Sequence, residues 1–455
     1  MDKKYLIIGC ARSGIATAKF LLSKGEKVVL TDNNNKDKIL SSFPEVESWS
    51  KDENIELIFG RQPDEEVIYR IKEIIMSPGV PLNIPIIKKA KDLKINMISE
   101  IELAYRYSKA PMIAITGTNG KTTTTTLTGE MFKNSGKKTY VVGNIGDPII
   151  NYVDIAGSED IFVAEISSFQ LETIQDFKPH LSALLNITPD HLDRHKTMEN
   201  YIHTKGKIFQ NLTESDFCLI NADDPILSDM KVNSDCNKIY FSVDKIIKRG
   251  SFLVDNTIKI IDGEKIFPVC SIDDLKIPGI HNVKNALAAT ALAYFGGVSI
   301  PVIQKTLKSF PGVEHRLEMV RVFHGVTYIN DSKGTNTDAS TIAIQAVKAP
   351  IILIAGGYDK DSAFEQWMDS FDEKVKYLIV LGATADKIIE TARVKNFEQI
   401  TKVSSLEEAV SVAFKMAQEG DTVLLSPACA SWDMFRDFEE RGTLFKKMIN
   451  KLGGK

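Results

Sequence analysis

The sequence predicts an α/β protein of three domains built on mainly parallel sheets. Three observations carry this. Short runs rich in Ile, Val and Leu alternate with helical patterns almost from end to end, the order that parallel sheets with crossover helices require. Two glycine-rich turns, residues 9–14 and 117–120, each stand between such a run and a helix. A length of 455 residues, at roughly 150 per domain, makes about three domains.

Residues 5–8 read as a strand, 9–14 as a turn and 15–23 as a helix that Gly25 ends. A second strand over 27–30 closes at Thr31-Asp32 and completes a βαβ opening. The strand at 73–76 runs into the turn Ser77-Pro78-Gly79-Val80-Pro81. After Ala110-Pro111 a second unit begins, with a strand over 112–116, a glycine turn and a helix from Lys121. Further strands are expected at 138–142, 161–164 and 181–185. A third unit starts near Pro311-Gly312 and carries strands at 326–329, 351–354, 377–381 and 422–425. The expected domains are therefore 1–108, 109–312 and 313–455.

Composition excludes several classes. Apolar residues at 43% and charged residues at 25% describe a globular chain and not a disordered one. Fifty-six Lys and Arg against 60 Asp and Glu leave a net charge of −4, so there is no electrostatic case for a nucleic-acid partner. Five scattered cysteines without a C-x-x-C pair argue against a disulfide framework or structural zinc and fit a reducing compartment. The apolar run at 5–8 is too short for a signal peptide. The stretch 286–303 is broken by Thr290, Gly296, Gly297, Ser299 and Pro301, so no membrane span is expected. These readings point to a soluble cytoplasmic protein.

The sharpest motif is Gly117-Thr118-Asn119-Gly120-Lys121-Thr122-Thr123. Backbone N–H groups of such a loop and of the helix start cradle phosphate oxygens, the lysine reaches the β and γ phosphates, and the next hydroxyl meets Mg²⁺. Strict G-x-x-x-x-G-K-[ST] would need glycine where Ile115 stands, yet the flanking strand and helix favour an ATP phosphate site over a chance turn. The first turn, Gly9 to Gly14, is a weaker dinucleotide fingerprint, because Ala11 stands where the middle glycine should. Asp32 occupies the place of a ribose-binding carboxylate, and a nucleoside diphosphate suits this turn as well as NAD does.

Glu165 and the segment Asn186 to His195 follow apolar strands at the end where α/β sheets bind ligands. His191 and His195 are four apart, but Leu192 replaces the glutamate of H-E-x-x-H, which excludes a zinc protease. A carboxylate at Glu165 and an imidazole at His191 could meet at one Mg²⁺ beside the phosphate loop. Cys429, in an apolar setting without an adjacent base, reads as a spectator thiol.

At this point the chain resembles the Mur ligases, ATP-dependent amino-acid ligases of bacterial cell-wall precursor synthesis. The resemblance spans all three domains and rests on residues 117–123, Glu165 in Glu-Ile-Ser-Ser-Phe-Gln, His191 in Asp-His-Leu-Asp-Arg-His, His281-Asn282-Val283-Lys284-Asn285-Ala286 and Asn330-Asp331-Ser332-Lys333. Ser426-Pro427-Ala428-Cys429-Ala430-Ser431-Trp432-Asp433, Phe438 and Arg441-Gly442 make it most like the D-glutamate-adding branch. The resemblance implies a Rossmann-like first domain holding the uridine nucleotide, a P-loop ATPase-like central domain and a Rossmann-like third domain that receives the amino acid. It implies that the carboxylate of UDP-MurNAc-L-Ala attacks the γ-phosphate of ATP and that D-Glu displaces phosphate from the acyl phosphate.

By matched position, the resemblance places Gly117, Thr118, Asn119, Gly120, Lys121, Thr122, Thr123, Asn282, Asn285, Arg316 and Asp331 at ATP. Ser13, Gly14, Asp32, Asn33, Gly79 and Asn144 would contact the UDP substrate, and Lys333, Thr335, Lys360, Ser431 and Phe438 would form the D-Glu pocket. Thr122 and Glu165 would hold one Mg²⁺, and His191 would join Glu165 at a second, bridged by a carbamylated Lys205, with Lys207 the competitor and Mn²⁺ an alternative metal. Lys121, Glu165, His191 and Lys205 are thus the expected catalytic set, in a monomer. Three alternatives stay open: a sister ligase with another acceptor, a non-catalytic nucleotide switch, and a dehydrogenase.

Overall fold

The structure is a computed structural model and describes residues 3–232, 235–277, 279–359 and 363–453. It has the three-domain α/β architecture expected, with one sheet per domain. Contacts divide the chain into two compact units, the first holding residues up to 275 with 280–310, the second 276–279 with 311–455.

The first unit carries two sheets. One is wholly parallel, in the order Ile55–Phe59, Val28–Asp32, Lys4–Ile8, Ile71–Met76, Asn96–Ser99. The chain winds outward from Lys4–Ile8 to one side and then to the other, which opens a crevice at the carboxyl ends where the direction reverses. The helix Arg12–Ser23 packs so closely on the first strand that a Cβ at Gly14 would lie 1.9 Å from the Gly9 carbonyl oxygen. That contact explains the glycine at the end of the turn.

The second sheet runs Lys265–Ser271, Thr257–Asp262, Gly250–Val254, Asn237–Ser242, Phe217–Asn221, Leu181–Leu184, Met112–Thr116, Ile161–Glu165, Thr139–Gly143. Seven of these strands, from Gly250–Val254 onward in that order, are parallel, and the two at the far edge are antiparallel. The antiparallel edge is absent from the sequence reading. Its first turn is a tight one, with Asp255 (φ 50°) and Asn256 (φ 56°) both left-handed, the conformation that matches strand twist in a two-residue hairpin. An Asp-Asn pair between two β-rich runs was a usable signal.

The second unit carries one sheet, in the order Glu318–Phe323, Val326–Asn330, Thr422–Leu425, Ile351–Ala355, Val375–Val380, Ile400–Lys402. Its first pair is antiparallel and the rest parallel. Ile351–Ala355 is buried on both faces, as a central parallel strand must be.

Within the first unit, the helix Glu100–Tyr107 joins the two sheets through buried carboxylates. Glu102 accepts from the backbone N–H groups of Gln175 (2.8 Å), Asp176 (3.1 Å) and Phe177 (2.8 Å), and Arg106 donates to it at 3.0 Å. Glu100 accepts from Ile150 N–H at 2.9 Å with no cationic partner among the described residues, and burial pushes its pKa up to about 7. The raised value sets a sign. The folded state favours neutral Glu100, so its contribution is complete below the unfolded carboxylate value and is lost as pH rises toward 7. Glu100→Gln is permanently neutral and keeps the acceptor oxygen. Relative to the native chain it is expected to gain stability between pH 5 and pH 8, by roughly 3 kcal/mol at most. Thermal or urea unfolding of both chains at the two pH values checks this, and parallel pH profiles would refute it.

Candidate active site

The phosphate loop is placed by the strand Met112–Thr116 and the helix Lys121–Asn134, as the sequence predicts. Gly120 caps the helix in the left-handed region (φ 83°), and a Cβ there would lie 2.3 Å from Asn285 Oδ1. Only glycine meets both demands. The loop is then fixed from outside. Asn119 N–H donates to Asn186 Oδ1 at 2.8 Å, and Asn186 Nδ2 returns a bond to the Asn119 carbonyl at 3.0 Å. Thr118 Oγ1 donates to the Thr188 carbonyl (3.1 Å), accepts from Thr188 N–H (3.1 Å) and lies 3.2 Å from the hydroxyl of buried Tyr201. Neither Tyr201 nor the Asn186 and Thr188 contacts were expected. Tyr201 precedes Lys205 by one helical turn, the spacing that puts both on one face.

Thr122 and Thr123 are buried in the first turn of the helix. Asn285 Nδ2 donates to Asn282 Oδ1 at 3.2 Å, and Thr124 Oγ1 donates to Asn285 Oδ1 at 3.4 Å. The two asparagines predicted for ATP thus stand beside the phosphate loop, on the helix Ile280–Phe295.

Two lysines converge on one carbonyl. Lys121 Nζ donates to Gly117 O (2.9 Å) and Thr118 O (2.8 Å), and Lys205 Nζ donates to the same Gly117 O at 2.8 Å. Lys205 is buried at 2% exposure. Burial first, and the charge of Lys121 second, hold its pKa well below the usual lysine range. Lys207 points elsewhere, to the Glu172 carbonyl at 2.8 Å.

Glu165 ends its strand beside the loop, paired with Ile115. Its Oε1 accepts from Asn144 Nδ2 at 2.8 Å, and its Oε2 is buried with no hydrogen-bond partner among the described residues. A buried carboxylate oxygen without a donor calls for a cation. Among the described residues no three of His, Cys, Asp and Glu come together closely enough to hold one. A lone carboxylate oxygen of this kind is compatible with Mg²⁺, which keeps waters and completes its shell with phosphate oxygens.

His191 is exposed, left-handed (φ 53°), with its ring edge-on to Phe169 at 4.8 Å. His195 is buried, with Nε2 3.0 Å from Ser168 Oγ, and burial lowers its pKa.

At the crevice of the first sheet lies a cavity of about 300 Å³ lined by Gly9, Asp32, Asn33, Gln62, Ser77, Gly79 and Val80, among others. Asp32 is oriented by Cys10 N–H (2.7 Å) and Asn34 N–H (2.8 Å). Of the residues predicted for the UDP substrate, Asp32, Asn33 and Gly79 line the cavity; Ser13 and Gly14 stand in the first turn of the adjoining helix, and Asn144 is at Glu165. Gln62 joins from a strand exit where no local pattern marks it, and Ser77 opens the turn that the sequence reading marked without naming it as a contact.

In the second unit, Asp331 is fully buried, and burial pushes its pKa up to about 6 against the opposing pull of Ser426 Oγ (2.7 Å) and of Arg316. Lys333 Nζ stands 5.2 Å from the ring centre of Phe438. The buried Arg441 donates through Nη2 to Ser332 O (2.8 Å) and Cys429 O (3.2 Å), which ties the Lys333 turn to the segment ending at Ser431. Thr335 N–H donates to Lys333 O at 2.9 Å. Lys333, Thr335, Ser431 and Phe438 thus share one region, and Lys360 lies outside the described residues. Cys429 is buried, and burial pushes its thiol up to about 11.

Known proteins resemble this chain in sequence and in fold. Family models match at residues 3–99 (Mur ligase MurD-like, N-terminal domain), 115–293 (Mur ligase middle domain) and 315–429 (Mur ligase, glutamate ligase domain). The UDP-N-acetylmuramoylalanine–D-glutamate ligase of Thermoanaerobacter sp. (strain X514) is 50% identical over 452 residues, covering 99% of this chain and 98% of the relative. Two solved structures share the fold. The UDP-N-acetylmuramate-alanine ligase MurC from Thermotoga maritima superposes with TM-score 0.62 at 19% identity, covering 98% of this chain and 99% of that one. The MurF ligase from Thermotoga maritima in complex with ADP gives 0.59 at 16%, covering 94% and 96%. With its phosphate loop, its three domains and a relative that matches it from end to end, this chain belongs to the Mur ligase family.

Proposed function

We infer that the chain is an ATP-dependent ligase that joins D-glutamate to UDP-N-acetylmuramoyl-L-alanine in peptidoglycan precursor synthesis. It works in the cytoplasm as a monomer with domains 1–108, 109–312 and 313–455. The observation that carries this reading is the 50% identity over 452 residues to a D-glutamate ligase. No helix among the described residues is long and apolar enough to cross a membrane.

The chemistry asks one carboxylate to approach a polyphosphate. At about 4 Å and an effective dielectric near 20, each pair of like charges costs roughly 4 kcal/mol. Lys121 offsets this at the β and γ phosphates. Thr122 and Glu165 would hold one Mg²⁺, and His191, Glu165 and a carbamylated Lys205 a second, with Mn²⁺ able to substitute. Bound there, the metal supplies positive charge that offsets the repulsion. The alanyl carboxylate oxygen attacks the γ-phosphorus and ADP leaves. The D-Glu amine then attacks the acyl carbon, loses a proton and expels phosphate, leaving the amide. Asn282, Asn285, Arg316 and Asp331 hold ATP; Ser13, Gly14, Asp32, Asn33, Gly79 and Asn144 hold the UDP substrate. Lys333, Thr335, Lys360, Ser431 and Phe438 receive D-Glu, where cationic lysines suit a diacid.

Phosphate release from Mg-ATP and UDP-MurNAc-L-Ala, with D-Glu, L-Glu, L-Ala and L-Lys compared as acceptors, tests the reading. Release with D-Glu alone is expected. Release with another acceptor instead would overturn the pocket but keep the ligase, and release with none would overturn both.

A further inference from the structure

One guanidinium in the first unit joins two places that the chemistry must keep in register. Arg194 lies three residues after His191, in the single turn Leu192–His195. Its Nε donates to both oxygens of Glu172, at 2.9 and 3.2 Å, and its Nη2 donates to Glu172 Oε2 as well. The same Nη2 donates to the Val80 carbonyl at 2.9 Å, 114 residues away in sequence. Val80 lines the cavity that also contains Asp32, Asn33 and Gly79. The guanidinium carbon stands 4.4 Å from the centre of the Phe169 ring, and that ring meets the edge of His191 at 4.8 Å. Glu172 is anchored in turn, because its carbonyl accepts from Lys207 Nζ at 2.8 Å.

We propose that Arg194 is a positioning residue: it fixes the wall of the UDP-substrate cavity at Val80 relative to the segment carrying His191, so that the bound substrate's carboxylate arrives at the phosphate end in reacting geometry. This rests on the ligase reading above. The substrate is bound at one end and reacts at the other, and a shift of about 1 Å between the two ends can cost about 100-fold in rate. The contact set also specifies the residue type. Arginine alone can grip a carboxylate with two nitrogens and still donate to a carbonyl from the same plane. Lysine keeps the charge but has a single nitrogen for all three acceptors. Arg194 is 16% exposed at its side chain and Glu172 11%, so neither charge is left to bulk water when the contact is lost.

Steady-state phosphate release by the full chain and by Arg194→Lys tests the role. The expected result is a kcat lower by about tenfold or more, a KM for UDP-MurNAc-L-Ala raised several-fold, and KM values for ATP and D-Glu within about twofold of the parent. The thermal midpoint should stay close to the parent's. Equal changes in all three KM values, or parent-like kinetics, would overturn the proposal. Glu172→Gln, which leaves Arg194 in place but breaks its charge pairing, should show the same split to a smaller degree. It serves as the test if the lysine variant unfolds, and parent-like kinetics in it would then be decisive against the proposal. If the parent chain neither binds nor turns over UDP-MurNAc-L-Ala, it is the ligase reading that fails, and the positioning role falls with it.

Discussion

Lys121→Ala is expected to lower ADP formation by about 10³-fold with the fold intact. The size follows from charge. A cation about 4 Å from one phosphate charge contributes roughly 4 kcal/mol at an effective dielectric near 20, and that corresponds to about three decades in rate. Negative charge builds on the β,γ-bridging oxygen as ADP leaves, so this contribution is felt most in the transition state. The fold should survive because Lys121 Nζ donates to carbonyls of its own loop, Gly117 O and Thr118 O, and not to a strand or helix of the core. The loop's other ties, through Asn186, Thr188 and Tyr201, do not involve it. A coupled ADP assay beside circular-dichroism melting checks both halves. Parent-like ADP release from a folded variant would remove ATP from residues 117–123.

What the sequence discloses and what it withholds divide along the range of the interactions. The phosphate loop was legible because its demands are local: a left-handed glycine, a helix start and a lysine within seven residues. The strands buried on both faces were legible for the same reason, since a run such as Ile351–Ala355 has to be apolar throughout. The strands Thr257–Asp262 and Lys265–Ser271 were not, because Lys259, Asp262 and Lys265 interrupt the apolar pattern on a partly exposed edge. The fastening of the loop was hidden as well. Thr118 meets Tyr201 across 83 positions, and no short-range pattern encodes that. Gln62 and Ser77 enter the cavity only after the first sheet has formed. Glu100 and Glu102 look in sequence like solvent-facing charges at a helix start, and only the junction they fill shows them buried. Helix N-termini favour carboxylates, which is enough to explain their presence but not their burial.

Lys205→Ala should reduce turnover by about 10²-fold or more, while Lys207→Ala stays within a few-fold of the parent. The argument starts from an incompatibility. Lys205 Nζ and Lys121 Nζ donate to one carbonyl oxygen, so two ammonium groups would crowd a single acceptor inside the protein. Burial and that neighbour favour the neutral amine at Lys205. A neutral amine is a nucleophile toward CO₂: its lone pair forms the N–C bond, a proton leaves to solvent, and the side chain ends in an anionic carbamate. The change would replace a second cation beside Lys121 with an anion, and in the proposed site it would add an oxygen donor to those of Glu165 and His191. The sign of the pH dependence follows. Carbamate forms only from the unprotonated amine, so activity should fall on the acid side as Lys205 takes up a proton, and it should fall when CO₂ and bicarbonate are removed. Lys207, bonded to the Glu172 carbonyl, is expected to have no such role. Carbon-13 NMR of the chain in labelled bicarbonate should show a carbamate resonance in the parent and in Lys207→Ala but not in Lys205→Ala. A resonance that survives in Lys205→Ala would move the modification to another lysine, and undiminished turnover by that variant would remove the carbamate from the mechanism.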